Sequence, residues 1–559
     1  MLIECVPNFS EGRNREVIDA IAAEIRDTPG AMLLDVDPGA ATHRTVMTFV
    51  GPPDSVVEAA FRAIRSAAGR IDMSQHSGEH PRMGATDVCP FVPVQGATMD
   101  DCVELARRLG CRVGDELGIP VYLYEYAASR PERRSLAAIR EGEYEALPAK
   151  LRDPAWAPDF GPALFSPRSG ATVIGAREFL IAWNVNLNTR DKKVATRIAN
   201  ALREKGSMKR DAAGKLVRGA DGAAEWEPGR FRELRGVGWY IPEYGRAQMS
   251  FNLTNYRVTG MHQVFDACCA EAERLGVRVT GSELVGLVPL DAIVAAGEHY
   301  LAKQGATTGV PEREKIHAAV LSMGLSEIAP FRAEDKIIEL RWRAAGPLTL
   351  VGRTVTGFVD EVSADSPAPG GGSVAALAGG MSAALSAMVA ALTWTKKGME
   401  SARPRMKEIG DRGQALKSWF VDAVDRDSRA FDAVLAAARL PKGTEHEAAA
   451  RQAALDAANL QAARVPLEVA EHAAEAAELA LAAARDGNPN SLSDAGVAGA
   501  CALAACQGAV WNVRINLPSL RDAAVAEEFA RRAADALARA TRTVAQVRET
   551  VDAALGEGS

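Results

Sequence analysis

Between Ser74 and Pro93 the chain reads SQHSGEHPRMGATDVCPFVP, which packs His76, Glu79, His80, Arg82, Asp87 and Cys89 into one short run ahead of a strand-like segment. Three chemistries compete for it. Two histidines four apart would share a helix face and suit zinc. Ser77 and Gly78 interrupt that face, however, and Pro81 directly after His80 disfavours α geometry there. The glutamate of an HExxH motif is also missing, so no metal is expected. Proton transfer fits better, because an imidazole titrates near neutrality and can take a proton and return it. Glu79, Arg82 and Asp87 stand close enough in sequence to tune His80, and Asp37, at the end of an earlier strand, can reach the same sheet edge. On residue types alone, a His80 that merely bridges a polar turn remains open.

Two further groups carry chemical potential. Gly370, Gly371, Gly372 and Ser373 follow Pro369 and open a helix of small residues. Such a start offers free N–H groups to an anion or a polar ring, although a tight helix corner would look the same. No GxxxxGK[ST] is present, so nucleotide hydrolysis is unsupported. Asp422, Asp425 and Asp427 lie on a helix with apolar flanks. Most helix carboxylates are solvated, but one turned inward would have its pKa raised toward a useful range.

The elements that must position these groups fall into two styles. Glu16 to Arg26 and Ser55 to Ala68 have apolar residues at helical spacing, and Thr98 reads as an N-cap. AMLLDVD, HRTVMTFVG, DVCPFVPV and PVYLYEY read as strands. Trp156 to Gly175, rich in Pro and Gly, reads as a long shaped loop of the kind that binds ligands. Strand and helix signals then resume up to about residue 329. This predicts two α/β subdomains, 1–178 and 179–329, each a layered sheet plus helices. A linker is expected over 330–355. Beyond it alanine dominates and strand signals vanish, so 356–559 is expected to be an all-α bundle.

Composition sets outer limits. The chain has 559 residues, 47% hydrophobic and 25% charged, with a net charge of −7. That balance speaks against nucleic acid or an anionic membrane as partner. Eight cysteines with no CxxC pair argue for reduced thiols in a cytoplasmic setting. Ser373 to Trp394 is uncharged over about one bilayer span, but its Ala, Gly and Ser content suits close helix packing better than lipid.

The quoted motifs carry a specific resemblance. ECVPNFSEGRN, HSGEHPRMGATDVCPFVPV and DFGPALFSPRSGATVIGAREFLIAWN resemble glutamate formimidoyltransferase. SPAPGGGSVAA, DSRAF, RLPKGT and WNVRINL resemble formimidoyltetrahydrofolate cyclodeaminase. The likeness runs in order over nearly the whole chain, as in the fused bifunctional family of histidine breakdown. It implies transfer of a formimidoyl group from N-formimidoyl-L-glutamate to tetrahydrofolate, then cyclisation to 5,10-methenyltetrahydrofolate with loss of ammonia. Tetrahydrofolate, in polyglutamylated form, would be co-substrate with no metal. The assembly implied is a homo-oligomer with a dimeric cyclodeaminase unit, without nucleic acid or membrane partners. Carried over by position, His80 matches the transferase histidine and Asp427 the cyclodeaminase acid. The folate loop maps onto Gly161, Pro162, Ala163, Leu164, Phe165, Ser166, Pro167, Arg168, Ser169 and Gly170. Asp37 is expected to orient His80 or the substrate. Two departures stand out: Ser207 to Leu234 is longer than the family's connection, and His43 replaces an asparagine. A helical half that only assembles the protein, or a folate-binding scaffold without turnover, are the competing readings.

Overall fold

The computed structural model describes all residues except 79, 212, 213, 220, 347, 348, 367 and 557–559, so the candidate Glu79 lies outside the described residues. The chain forms two compact units. The first comprises Met1–Ala295 and Val320–Ala345, the second Ala296–Ala319 and Gly346–Ser559.

In the first unit, strands β1 (Leu2–Cys5), β2 (Asn8–Phe9), β3 (Met32–Gly39), β4 (Arg44–Gly51), β5 (Thr86–Gln95), β6 (Val121–Glu125) and β7 (Thr172–Ala176) make one mixed sheet. β1 and β2 behave as one broken strand between β4 and β5, giving the order β3-β4-β1/β2-β5-β7-β6. The β5–β7 and β7–β6 pairs are parallel. Helices α1 (Arg15–Arg26), α2 (Pro53–Arg70) and α3 (Met99–Leu117) close one face, where Ile18, Ile21, Phe61, Ile64 and Leu105 pack on Ile3, Phe49, Phe91, Leu123 and Ile174. Thr98 caps α3 in a capping box with Asp101. Side chains alternate along a strand, so the neighbours of those core residues, namely Asn8, Arg44, Val88, Pro90 and Tyr124, take the opposite face. Two short helices cover it only in part: α4 (Leu136–Ile139) and α5 (Glu143–Lys150), through Ile139 and Leu147.

β8 (Ile181–Leu187), β11 (Leu234–Ile241), β12 (Arg246–Leu253) and β13 (Val279–Val285) form an antiparallel sheet in the order β11-β12-β8-β13, and β9 (Ser207–Met208) pairs with β10 (Trp226–Glu227) inside the long insertion. α6 (Lys192–Leu202) and α7 (Met261–Arg274) lie on one face of it. The other face is polar, with Trp239 Nε1 donating to Gln248 and Gln248 donating to Asn186. α8 (Leu290–Lys303), α9 (Glu312–Ser322), α10 (Ala333–Lys336) and α11 (Ile338–Ala345) follow. The last two occupy the stretch where no helical face was expected. Ile337 and Ile338 are buried there, and the Glu339 carboxylate accepts the Leu290 N–H at 2.8 Å.

The second unit is helical: besides the parts of α8 and α9 within Ala296–Ala319, it holds α12 (Val355–Val362), α13 (Gly371–Trp394), α14 (Arg403–Ala438), α15 (Glu445–Asp486), α16 (Leu492–Asn516) and α17 (Ala523–Gly556). Its core is mostly alanine around Leu416, Phe420, Val424 and Val510. Small residues let the helices approach; a methyl on Gly379 would lie 2.4 Å from the Phe420 ring. Two segments, Gly371–Trp394 and Pro489–Ser519, are long and apolar enough to cross a bilayer, with 56% and 44% of their apolar windows buried within the protein.

Candidate functional sites

His80 sits where the loop after the short helical turn Met73–Gln75 runs back toward β5. Its Nδ1 lies 2.7 Å from the Pro81 carbonyl and 3.1 Å from Arg44 Nη1. One nitrogen cannot donate and accept at once. The shorter contact puts the proton on Nδ1, donating to Pro81, and leaves the Nε2 lone pair free as a base. Partial burial, then the Arg44 charge, hold the imidazole below its usual pKa, so it is neutral at physiological pH. Arg44 is itself fixed by Asp87 Oδ2 at 2.5 Å and by Asn8 Oδ1 at 2.9 Å. Asp87 is fully buried; it also takes Arg140 and the Met83 N–H. A buried carboxylate shared by two guanidiniums is well compensated, and it fixes the cation that polarises His80.

Asp37 is not part of this group. It is solvent-exposed on β3 opposite Val46, and among the described residues its carboxylate makes no hydrogen bond or ion pair. Register places it on the sheet face of Arg44 and Asn8, one strand farther out. The expectation that Asp37 orients His80 is therefore replaced by Arg44 and Asp87, and only a contact with substrate is left to it.

The loop from Gly161 to Gly170 is tied to the His80 segment at its C-terminal end, while Gly161 packs on Gly114 and Ile119. Arg168 and Ser169 carbonyls accept from Met73 and Ala85, and Gly170 bridges Gly84. Tyr144 reaches Pro167 O at 2.6 Å and packs on Phe165, while Leu164 is exposed. Gly161 and Gly170 have positive φ, and a Cβ on either would meet backbone atoms at 2.4 and 2.2 Å, so glycine is required at both ends. His43, also at positive φ, stacks on His76 at 4.2 Å and reaches Glu11 at 3.1 Å. Asparagine tolerates that conformation best, but histidine is among the few other residues that adopt it.

In the helical unit, the Gly370–Ser373 turn meets the middle of α14. Buried Ser373 Oγ lies 2.9 Å from Val424 O, 3.0 Å from Asp427 Oδ2 and 3.2 Å from Ser428 Oγ. Desolvation raises the Asp427 pKa, opposed by hydrogen bonds from the Ser373 side chain and backbone. If the serine proton goes to Val424, Oγ is free to accept a proton held by Asp427. Gly372 admits this contact: a Cβ there would lie 2.1 Å from Asp427 Oδ1. Of the neighbouring acids, Asp425 accepts the Leu350 N–H and Asp422 is exposed.

Residues 2–177 match the formiminotransferase domain, N-terminal subdomain; 182–343 match the formiminotransferase domain; 354–535 match formiminotransferase-cyclodeaminase. The formimidoyltransferase-cyclodeaminase of Sus scrofa is 45% identical, covering 99% of each chain. The chain belongs to the formimidoyltransferase-cyclodeaminase family. Relatives of each half also stand alone. A glutamate formimidoyltransferase of Streptococcus pyogenes is 41% identical over 54% of this chain and 93% of its own. A methenyltetrahydrofolate cyclohydrolase of Methylorubrum extorquens is 38% identical over 35% of this chain and 95% of its own. A solved formiminotetrahydrofolate cyclodeaminase from Thermotoga maritima is 29% identical, covers 37% of this chain and 96% of that chain, and has a TM-score of 0.31.

Within this family architecture, Arg140 is the residue that sequence reading missed. It lies 53 positions from Asp87, in a stretch with no strand or helix signal. Arg130, Arg133 and Arg134 stand in the same stretch, so nothing in the sequence singles out Arg140. Among the described residues, no group of three or more His, Cys, Asp or Glu is arranged to hold a metal.

Proposed function

We propose that this protein transfers a formimidoyl group from N-formimidoyl-L-glutamate to tetrahydrofolate in its first unit and cyclises the product in its second. The observation that carries the reading is the full-length likeness to fused relatives, with a separate proton-handling group in each half. In the first reaction, folate N5 attacks the formimidoyl carbon and forms a tetrahedral centre. His80 Nε2 takes the N5 proton and returns it to the glutamate nitrogen as that C–N bond breaks. Arg44, held by Asp87, keeps the resting imidazole neutral and therefore basic.

In the second reaction, N10 of the same folate attacks the formimidoyl carbon. Both nitrogens belong to one molecule, so proximity is supplied by the substrate. Asp427, biased toward its acid form by burial, protonates the departing ammonia, and loss of the N10 proton gives the methenyl product. The glycine turn holds the folate against it. Tetrahydrofolate is a co-substrate in polyglutamylated form, and no metal takes part.

The helical unit pairs with a second copy of itself. Val374, Met381, Met388 and Leu392 form an exposed stripe on the uncharged α13, and Val497, Trp511 and Ile515 are exposed on neighbouring α16. An apolar face of this kind suits an interface between copies. The test of the two reactions is a crossed pair of variants. His80→Ala should lose transfer by about a hundredfold or more and still cyclise supplied 5-formimidoyltetrahydrofolate; Asp427→Asn should do the reverse. Loss of both activities in either variant, or of neither, would overturn the assignment.

A further inference from the structure

The first unit contains a groove of about 1010 Å³ lined by both sheets, with Arg44 and Pro81 on its wall. Away from His80 its lining includes Arg134, Arg177 and Arg235. None of these three makes an ion pair with a carboxylate among the described residues. Arg177 Nη1 only reaches the Glu178 carbonyl, at 2.9 Å. Three of the acids on the groove wall have partners other than these arginines. Glu178 faces Arg257 at 3.4 Å, Glu204 accepts the Glu233 N–H, and Glu233 accepts from Thr254. Glu125 stands among the three arginines; burial raises its pKa, and the charges of Arg235, Arg177 and Arg134 oppose that rise.

Backbone geometry marks the same place. Glu125 ends β6 at φ +53° and Glu233 precedes β11 at φ +54°, both lining the groove. Non-glycine residues held in the left-handed region cost roughly 1–3 kcal/mol each and cluster at functional sites. The strand β5 separates the two ends of the groove. Arg44 is anchored at Asp87, and the Arg177 N–H binds the Phe91 carbonyl. Those anchors are four residues apart on β5, ~13 Å.

We propose that Arg134, Arg177 and Arg235 form the carboxylate subsite of this groove and grip a glutamyl group while its nitrogen end lies at His80. Guanidinium is the cation suited to the task, because its planar fork matches a carboxylate in two hydrogen bonds. The inference rests on the transfer reading above. Two sources present that chemistry: the glutamate of the formimidoyl donor and the glutamyl tail of the folate.

Steady-state transfer by Arg235→Ala and Arg177→Met tests it, with Arg235 chosen because its exposed side chain can be removed without endangering the fold. The expected result is a tenfold or greater rise in KM for N-formimidoyl-L-glutamate, with kcat and the KM for monoglutamyl tetrahydrofolate little changed. Discrimination against N-formimidoylglycine, which has one carboxylate, should shrink in parallel. A rise in the folate KM instead assigns the subsite to the tail. Unchanged KM values for both substrates overturn the proposal while leaving the transfer reading intact. Titration with N-acetyl-L-glutamate, which cannot react, separates the two ideas: binding weakened tenfold by Arg235→Ala in a protein without transferase activity would sustain the subsite and sink the reading it rests on.

Discussion

Gly372 offers a sharp separation of stability from chemistry. It lies in the first turn of α13, where alanine is by propensity the better helix former by as much as ~1 kcal/mol. Yet an added methyl would sit 2.1 Å from Asp427 Oδ1, 2.5 Å from Cγ and 2.6 Å from Oδ2. Something must move, and the carboxylate at the end of a short side chain is the part that can. Rotating it away breaks the 3.0 Å contact with Ser373 Oγ and costs about one hydrogen bond, ~1 kcal/mol net. The two effects nearly cancel, so Gly372→Ala should unfold within about 1 kcal/mol of the parent. Displacing a general acid, by contrast, should cost about 10²–10⁴ in rate. The assay follows methenyl absorbance from supplied 5-formimidoyltetrahydrofolate, with denaturant unfolding alongside and transferase activity as an internal control. A folded, transferase-active variant that cyclises at the parent rate would show that the Asp427 position does not matter to catalysis, and the site assignment would fall.

Arg44→Gln removes the charge beside His80, so the imidazole pKa should rise and the acid limb of kcat/KM for transfer should move to higher pH; a limb that stays put would remove Arg44 from the electrostatics. Glu4, buried on β1 near Arg177 and Glu339, is raised by desolvation from 4.5 to about 7. The folded state therefore holds a proton that the unfolded chain has released, and stability falls as pH rises between those values by about 3 kcal/mol. Glu4→Gln should flatten that segment of the denaturation-against-pH curve, gaining stability above pH 7 and none near pH 4; parallel curves would refute the burial argument. Met381→Asp places a charge on the exposed stripe of α13 and should halve the mass measured by light scattering, and an unchanged assembly would move the interface elsewhere.

Much of the architecture was legible because its signals are local. Alternating strands, the Thr98 capping box and the long alanine-rich helices all follow from residues within a few positions of one another. The misses have physical causes. β1 is four residues long, and its pattern is hidden by its position at the chain start and the Pro7 break after it. β7 was read as the tail of a loop because the prolines and glycines before it dominate the window, although TVIGA is fully buried between β5 and β6. α10 and α11 are too short to build an amphipathic face of their own. The candidate sites divide in the same way. His80, Asp427 and the glycine turns carry motifs, whereas Arg44, Asp87 and Arg140 meet only through tertiary structure, and Asp37 was chosen from sequence proximity to a sheet edge it shares but does not bring to His80.

The two sites solve one problem with opposite groups. Each reaction needs a side chain uncharged before the proton moves: an imidazole able to accept, and a carboxyl able to give. Water favours the charged form of both. Partial burial disfavours it in each, lowering His80 and raising Asp427. The partners then differ in sign of effect. Arg44 pushes the histidine further toward its base, while Ser373 restrains the aspartic acid by offering hydrogen bonds to its ionised form. Burial thus biases each group toward the uncharged form that its own step requires. The transfer base must begin empty in every turnover, and an acid that gives its proton to ammonia must recover one before the next.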